Sequence, residues 1–130
     1  TARNIRLNHE FVVNLVDEAI AEAMNRCAAP LPYGESELQS AGLTTAPSTA
    51  VKPPRLAEAP ASLECVEHRT LQIGDNRIVF GLIKRVHARD GLIDPATLRV
   101  NHDQLHTIGR MAVPNWYCRT TDRFEMRVPR

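Results

Sequence analysis

Two strand-like segments on either side of a turn signal constrain the fold of this chain most strongly. The apolar residues Leu63, Cys65, Leu71 and Ile73 fall at odd positions, and the polar residues Glu64, His68, Thr70 and Gln72 fall at even positions. This period of two is typical of a half-buried strand. A turn signal at 74–76 follows, and the β-branched segment 78–86 can then pair back antiparallel. The pattern predicts a long β-hairpin as the central unit of the fold.

Shorter segments predict further elements around this hairpin. The opening residues indicate a short helix with Thr1 as its cap. The apolar run 11–16 predicts a buried strand, and residues 17–28 predict an amphipathic helix that starts at Asp17 and ends before the prolines that follow. A last strand is expected at 116–120.

Residues 29–60 are the least regular part of the sequence. Prolines recur through this segment, and we expect one short helical turn at 35–41. Loop-rich segments of this length inside a domain often have a functional or interface role. We therefore expect a long loop or arm that lies over the barrel or reaches a neighbouring subunit, within a single domain spanning residues 1–130.

Charge and cysteine content exclude several classes of function. Sixteen Lys and Arg residues nearly balance fifteen Asp and Glu residues, so the formal net charge of +1 provides no strong field for nucleic acid or an anionic membrane. No apolar segment approaches the length of a membrane span. The three cysteines lack C-x-x-C spacing, which argues against a disulfide framework or a thiolate zinc site. We expect a cytoplasmic protein without a nucleic-acid or membrane partner.

Side chains suited to catalysis or metal binding form no recognised set. His102 and His106 are four residues apart and would share a helical face, the spacing of a two-histidine metal pair, but no third ligand stands at a recognised spacing. Solvated or locally hydrogen-bonded histidines are the alternative that we favour. Cys65 and Cys118 lack an adjacent base and are interpreted as buried small apolar residues. The sequence predicts no metal site and no catalytic acid, base or nucleophile.

Several short segments gain significance from their order along the chain. They are Thr1–Ile5, Glu10–Leu15, Ala23–Ala28, Glu37–Thr44, Pro53–Pro60, Leu63–Cys65, Gly109–Met111 and Trp116–Tyr117. Together they resemble the flavin-reductase-like, FMN-binding split β-barrel family. The resemblance implies a mainly β fold with helices, an antiparallel split β-barrel, which is incomplete at its amino end because the family's first strands would precede Thr1. It also implies a homodimer with FMN bound near the subunit interface.

The same resemblance implies a flavoprotein oxidoreductase of flavin reductase type, in which bound FMN passes on reducing equivalents from NADH or NADPH. Many members have Gly-Asp-His at the hairpin, with the histidine near the nicotinamide, whereas this chain has Asn76 in the third place. The alternative is a flavin-binding electron carrier or interaction module without nicotinamide-dependent activity. The final acceptor and any partner oxygenase stay open.

The resemblance implies two cofactor contacts near the start of the chain. The family's phosphate-binding segment often has Lys-Asp-Thr before an Asn-Ile helix, and of these Thr1 and Asn4 remain while the lysine is absent. An anion at a helix amino end is physically reasonable because free N–H groups and the helix dipole favour it. A plain helix cap is the alternative for Thr1.

Three residues near the other end of the chain are further candidates for cofactor binding. Arg110, Trp116 and Tyr117 offer a cation and two aromatic rings to a planar cofactor. The alternative is a barrel strand that directs Trp116 and Cys118 into the core.

Overall fold

The predicted long hairpin is the central feature of the structure. In the computed structural model, which describes residues 1–129, two strands pair antiparallel from Ala61 opposite Ala88 to Ile73 opposite Asn76. The strands of the chain are β1 (Glu10–Asn14), β2 (Thr45–Ala46), β3 (Arg55–Leu56), β4 (Ala61–Ile73), β5 (Asn76–Ala88), β6 (Ile108–Ala112) and β7 (Trp116–Arg119). Gly74 begins the two-residue turn between β4 and β5 with a φ of 57°, a left-handed conformation that glycine adopts without strain.

The strands form three separate antiparallel sheets. β1 pairs with the first half of β4, which gives a sheet in the order β1-β4-β5, while β2 pairs with β3 and β6 pairs with β7. Among the described residues, β5 has a pairing partner on one side only. These sheets therefore do not close into a complete barrel.

The helices are short and lie beside the sheets. They are α1 (Ala2–Asn8), α2 (Ala21–Arg26) and α3 (Glu37–Ala41). Asp17 acts as the predicted cap, since its Oδ1 accepts a hydrogen bond from the Ala19 N–H at 3.2 Å, but the first turn it caps is a 3-10 turn that precedes α2. Across residues 1–129, no helix combines the length and apolar character needed to cross a membrane.

The segment 29–60 is more ordered than the predicted loop or arm. It contains α3, β2 and β3, and its residues Ala41, Leu43 and Val51 are buried. Ala41 and Leu43 pack with Ile20 in a small apolar cluster, which α2 and Leu56 also cover. The apolar side chains scattered through the segment explain this order, because they give it surface to bury against its own chain.

The alternating pattern of β4 is wrong at two positions, Glu64 and Ile73. Glu64, expected on the polar face, has no solvent-exposed surface, whereas Ile73, expected on the apolar face, is exposed at the tip of the hairpin. A carboxylate can be buried only where hydrogen-bond donors replace its water. Residues 49–51 and His87 supply those donors.

Candidate functional site

A cavity of about 480 Å³ lies between α1, β1 and residues 52–54. Thr1, Asn4 and Lys52 contribute polar side chains to its lining, and Phe11 and Pro53 contribute apolar surface. Thr1 and Asn4, which the sequence predicts as cofactor contacts, therefore lie in one cavity. Its volume is within the range common for small-ligand sites.

The Thr1 side chain does not cap α1. The helix begins with a backbone hydrogen bond of 3.0 Å from the Ile5 N–H to the Thr1 carbonyl, and the Thr1 hydroxyl makes no cap hydrogen bond. Thr1 therefore occupies the N-cap position, as predicted, but caps the helix through its backbone carbonyl and not through its side chain. Thr1 lines the cavity, and its hydroxyl is a group that can donate or accept a hydrogen bond.

Asn4 is oriented by a residue from the following segment. The Tyr33 hydroxyl donates to Asn4 Oδ1 at 3.1 Å, and the Arg3 guanidinium lies 4.1 Å from the centre of the Tyr33 ring. Because the amide oxygen accepts this bond, the amide nitrogen of Asn4 is the atom that retains donors for another group.

Lys52 lines the same cavity, although no sequence pattern predicts it there. The absence of a lysine next to Thr1 removed the expected cation, yet residues 47–54 bring Lys52 to the same cavity from a distant part of the chain. Its backbone N–H donates to Glu10 Oε2 at 2.8 Å, which holds the segment against β1. The available signal was the single lysine of the proline-rich segment, but its approach to α1 depends on tertiary contacts that the sequence pattern does not show.

Glu64 fixes the backbone immediately before Lys52. Its carboxylate accepts hydrogen bonds from the N–H groups of Thr49 at 2.9 Å, Ala50 at 2.5 Å and Val51 at 3.2 Å, and it also contacts His87 Nε2. Burial raises the pKa of the Glu64 carboxyl, but the donors on Thr49, His87 and Ala50 outweigh this effect and lower the pKa to about 2. Glu64 is therefore an anion at neutral pH that positions the Lys52 segment.

Arg110, Trp116 and Tyr117 lie together on the β6–β7 hairpin. Arg110 and Tyr117 are cross-strand partners, with Arg110 Nη1 3.3 Å from the Tyr117 hydroxyl and its guanidinium carbon 5.7 Å from the ring centre. The Trp116 side chain is 68% exposed, and Cys118 is exposed as well. The alternative that Trp116 and Cys118 face the core is wrong, because both residues are exposed.

Of the three candidates on the β6–β7 hairpin, Tyr117 lines a cavity different from that of Thr1 and Asn4, and Arg110 and Trp116 line neither of the two. Tyr117 borders a space of about 800 Å³ between α2 and β7, together with Cys118 and Arg119. Arg119 Nε bonds Glu18 Oε2 at 2.8 Å on the wall of this space. Thr1 and Asn4 do not line it, so the described residues alone do not unite all five candidates in one site.

The histidine and cysteine predictions have mixed outcomes. His102 and His106 do not share a helical face, because residues 101–107 form no helix; the Asp103 N–H, for example, donates to Asn101 Oδ1 at 3.1 Å. Throughout residues 1–129 no group of three or more His, Cys, Asp or Glu is arranged to hold a metal ion. Cys65 is buried as predicted, and burial raises the pKa of its thiol.

Comparison with known proteins gives a family match over most of the chain. Residues 1–109 match the flavin reductase like domain family. An uncharacterized protein of Deinococcus radiodurans is 39% identical over 127 residues, which cover 97% of this chain and 56% of that protein. The chain thus spans little more than half the length of this relative.

Two solved structures have the same fold. The 2-nitrobenzoate 2-nitroreductase of Pseudomonas fluorescens is 40% identical, with a TM-score of 0.89 over 98% of this chain and 64% of that one. A split-barrel-domain protein of Shewanella frigidimarina is 19% identical, with a TM-score of 0.84 over 99% of this chain and 64% of that one. The likeness confirms the predicted split-barrel fold, and the unclosed sheets agree with it.

Proposed function

The chain belongs to the flavin reductase like domain family, and from this premise we propose that it binds FMN and acts as an oxidoreductase of flavin reductase type. The observation that carries the proposal is the convergence of Thr1, Asn4 and Lys52 on one cavity. The reductase named in the Pseudomonas fluorescens structure, at 40% identity, supports reductive chemistry. When bound, the flavin supplies the electron-transfer chemistry, and the protein binds and orients it.

The cavity lining fits a flavin phosphate in its chemistry. The Thr1 hydroxyl, the Asn4 amide nitrogen and the Lys52 ammonium group are all hydrogen-bond donors, and Lys52 adds a positive charge. Glu10 also lines the cavity, but its carboxylate already accepts the Lys52 backbone N–H. We infer that these three donors hold the phosphate of FMN.

Arg110, Trp116 and Tyr117 complete the proposed cofactor contacts. They lie on an exposed hairpin, where the planar flavin ring could stack on Trp116 or Tyr117 beside the positive charge of Arg110. The β6–β7 hairpin and the Thr1 cavity do not form one site within the described residues. We therefore propose that the flavin lies between them in the dimer.

A comparison of FMN with riboflavin tests the phosphate contact. Riboflavin lacks the phosphate, so a Lys52→Gln variant should bind FMN about 10-fold more weakly, equal to about 1.4 kcal/mol, while its riboflavin affinity stays the same. Quenching of flavin fluorescence measures both. The matched control is Arg99→Gln, which removes a positive charge from an exposed residue outside the cavity and outside β5. Equal weakening of both ligands, or no weakening, contradicts the phosphate role.

Reduction of the bound flavin tests the reductase activity. Purified protein with bound FMN should lose its yellow colour when NADH or NADPH is added without oxygen. A yellow protein that does not bleach supports the electron-carrier alternative. That alternative follows from Asn76, at the start of β5, which stands where many family members have the histidine near the nicotinamide. Failure to take up FMN contradicts both flavin functions.

We further propose a homodimer in a cytoplasmic setting. Large apolar side chains are exposed on the edge strand β5, namely those of Phe80, Leu82, Ile83 and Val86. Edge strands of monomeric proteins usually expose less apolar surface to solvent. A second copy that covers this strand gives those side chains a partner. The three cysteines are unpaired, which agrees with a reducing compartment.

A further inference from the structure

His87 connects strand β5 to the buried carboxylate of Glu64. In the β4–β5 pairing Glu64 stands opposite Arg85 and His87 stands opposite Ser62, so His87 is the diagonal neighbour of Glu64. Diagonal neighbours in an antiparallel pair lie on the same face of the sheet, within reach of long side chains. His87 Nε2 accordingly contacts Glu64 Oε1. Because an ionised carboxylate can only accept, the imidazole is the donor in this contact.

The two oxygens of Glu64 divide their partners. Oε2 accepts from the N–H groups of Ala50 at 2.5 Å and Val51 at 3.2 Å. Oε1 accepts from the Thr49 N–H at 2.9 Å and from His87. The last torsion of a glutamate side chain has only a broad preference of its own, so its contacts decide how the carboxylate is turned. His87 is the contact that comes from a strand, and it therefore fixes the carboxylate relative to the sheet.

The contact between His87 and Glu64 is shielded from solvent. The side chain of Glu64 is 0% exposed and that of His87 is 22% exposed. A buried acceptor that loses a donor is costly where water reaches it poorly. Lys52 directly follows the loop 49–51 and lines the Thr1 cavity. A continuous series of contacts thus leads from β5 through the carboxylate and the loop to the cavity.

We propose that His87 is a positioning residue for the flavin phosphate, which acts through Glu64 and the loop 49–51 on Lys52. The inference rests on the FMN binding proposed above. His87 does not line the Thr1 cavity, so its effect on a ligand there passes through the lysine segment. Its loss therefore weakens the contact with the phosphate and leaves the contacts with the rest of the flavin unchanged.

Flavin affinities of three variants test the positioning role. His87→Leu fills the space but offers no donor, so FMN affinity should fall at least about 5-fold while riboflavin affinity stays the same. His87→Gln, whose amide can donate in place of Nε2, should restore most of the FMN affinity. His102→Leu, the same substitution at an exposed turn outside the cavity, should change neither affinity. Equal loss for both flavins in His87→Leu, as general destabilisation would cause, or an unchanged FMN affinity overturns the proposal.

A double-mutant cycle tests the route through Lys52. If His87 acts on the phosphate through this lysine, His87→Leu should cause little further loss of FMN affinity in a Lys52→Gln protein. Losses that add in full overturn the proposal. If His87→Leu does not fold, His87→Asn replaces it in each measurement, because the shorter amide holds its donor farther from Glu64 and should also weaken FMN.

Hydrogen exchange without flavin separates this inference from the proposed function. The amides of residues 49–51 should exchange faster in His87→Leu than in the wild type, because the carboxylate that protects them is less firmly held. Unchanged exchange, in a wild type that binds FMN, overturns the role of His87 and leaves the flavin function standing. A wild type that takes up no FMN contradicts the flavin function and the phosphate role together.

Discussion

Glu64 shows how much one residue can organise in this fold. Its fully buried carboxylate replaces water with three consecutive backbone N–H groups and the imidazole of His87. Charged hydrogen bonds of this kind are stronger than neutral ones, and loss of one partner leaves the others unsatisfied. Thr49, Ala50 and Val51 therefore depend on a side chain from a different element.

Substitution of Glu64 should destabilise the protein. Glu64→Gln removes the negative charge and replaces one acceptor oxygen with an NH₂ group that faces backbone donors, so we expect the Tm to fall by roughly 5 °C or more. Differential scanning calorimetry measures the change. Glu35→Gln is the matched control, because Glu35 is exposed and its Tm effect should be small. Equal Tm values for Glu64→Gln and wild type contradict the role assigned to the buried carboxylate.

The pKa of Glu64 sets the pH range in which its carboxylate stabilises the folded protein. The folded protein lowers that pKa from 4.5 to about 2, so the ionised group stabilises the fold above about pH 4.5, and this contribution is lost as the pH falls toward 2. The Tm difference between wild type and Glu64→Gln should therefore be largest near neutral pH and decrease between pH 4.5 and 2. Thermal unfolding over this range measures it, and a difference that grows on acidification would contradict the assignment.

The sequence predicted Thr1 and Asn4 in a common region, but not their neighbours. Alternation in β4 assigned Glu64 to the solvent face, because a period of two reports which side of a strand a residue occupies and not what lies over that side. Lys52 was missed for a related reason. It reaches α1 through contacts between segments far apart in the chain, and such contacts leave no local pattern.

At the scale of elements, close packing between β1 and β5 depends on Gly81. A Cβ placed on Gly81 would lie 2.5 Å from Phe11 Cζ and 3.1 Å from Cys65 Cβ. Phe11 lies on β1 and Cys65 on the intervening β4. The absence of a side chain at residue 81 lets the Phe11 ring cross over β4 and pack against β5.

Gly81→Ala should disturb this crossing. We expect a loss of about 1–3 kcal/mol in the free energy of unfolding, because the new methyl group displaces a ring that has packed neighbours. Gly109→Ala is the control in another strand, where the added Cβ meets the Cys118 sulfur at 3.1 Å, the end of an exposed side chain that can move. Urea denaturation compares the two. A smaller loss for Gly81→Ala than for Gly109→Ala would contradict the crossing as a constraint.

At the scale of the whole molecule, the sequence predicted the elements better than their assembly. The 61–88 hairpin, β1 and the helices near Asp17 and at 37–41 follow from periodicity and turn residues. The pairing of β1 with β4, and the separate position of β6 and β7, depend on long-range contacts. The split barrel was recognised through the family resemblance, because no local pattern specifies how the sheets are arranged.

The exposed strand β5 leads to a prediction about assembly. Its Ile83 side chain is 56% exposed among other apolar residues. If a second copy covers this strand, light scattering coupled to size exclusion should give the mass of two chains, and Ile83→Glu should raise the dimer dissociation constant at least about 10-fold because a charge would be buried.

Leu7→Glu is the control for this assembly, since Leu7 is an exposed apolar residue on α1. It should leave the dissociation constant unchanged. A wild-type mass of one chain at high concentration contradicts the dimer. An unchanged dissociation constant in Ile83→Glu would show that the interface lies elsewhere.

The hydrogen bonds from residues 49–51 to Glu64 have a kinetic consequence. Those three N–H groups belong to no helix or strand, yet a single buried oxygen pair protects them from solvent. Their deuterium uptake should therefore proceed at one shared rate, set by how often the carboxylate releases the loop. Because Lys52 directly follows these residues, the same opening sets how often its backbone can move away from the Thr1 cavity. Deuterium exchange at three adjacent amides thus reports on the lifetime of the candidate site itself.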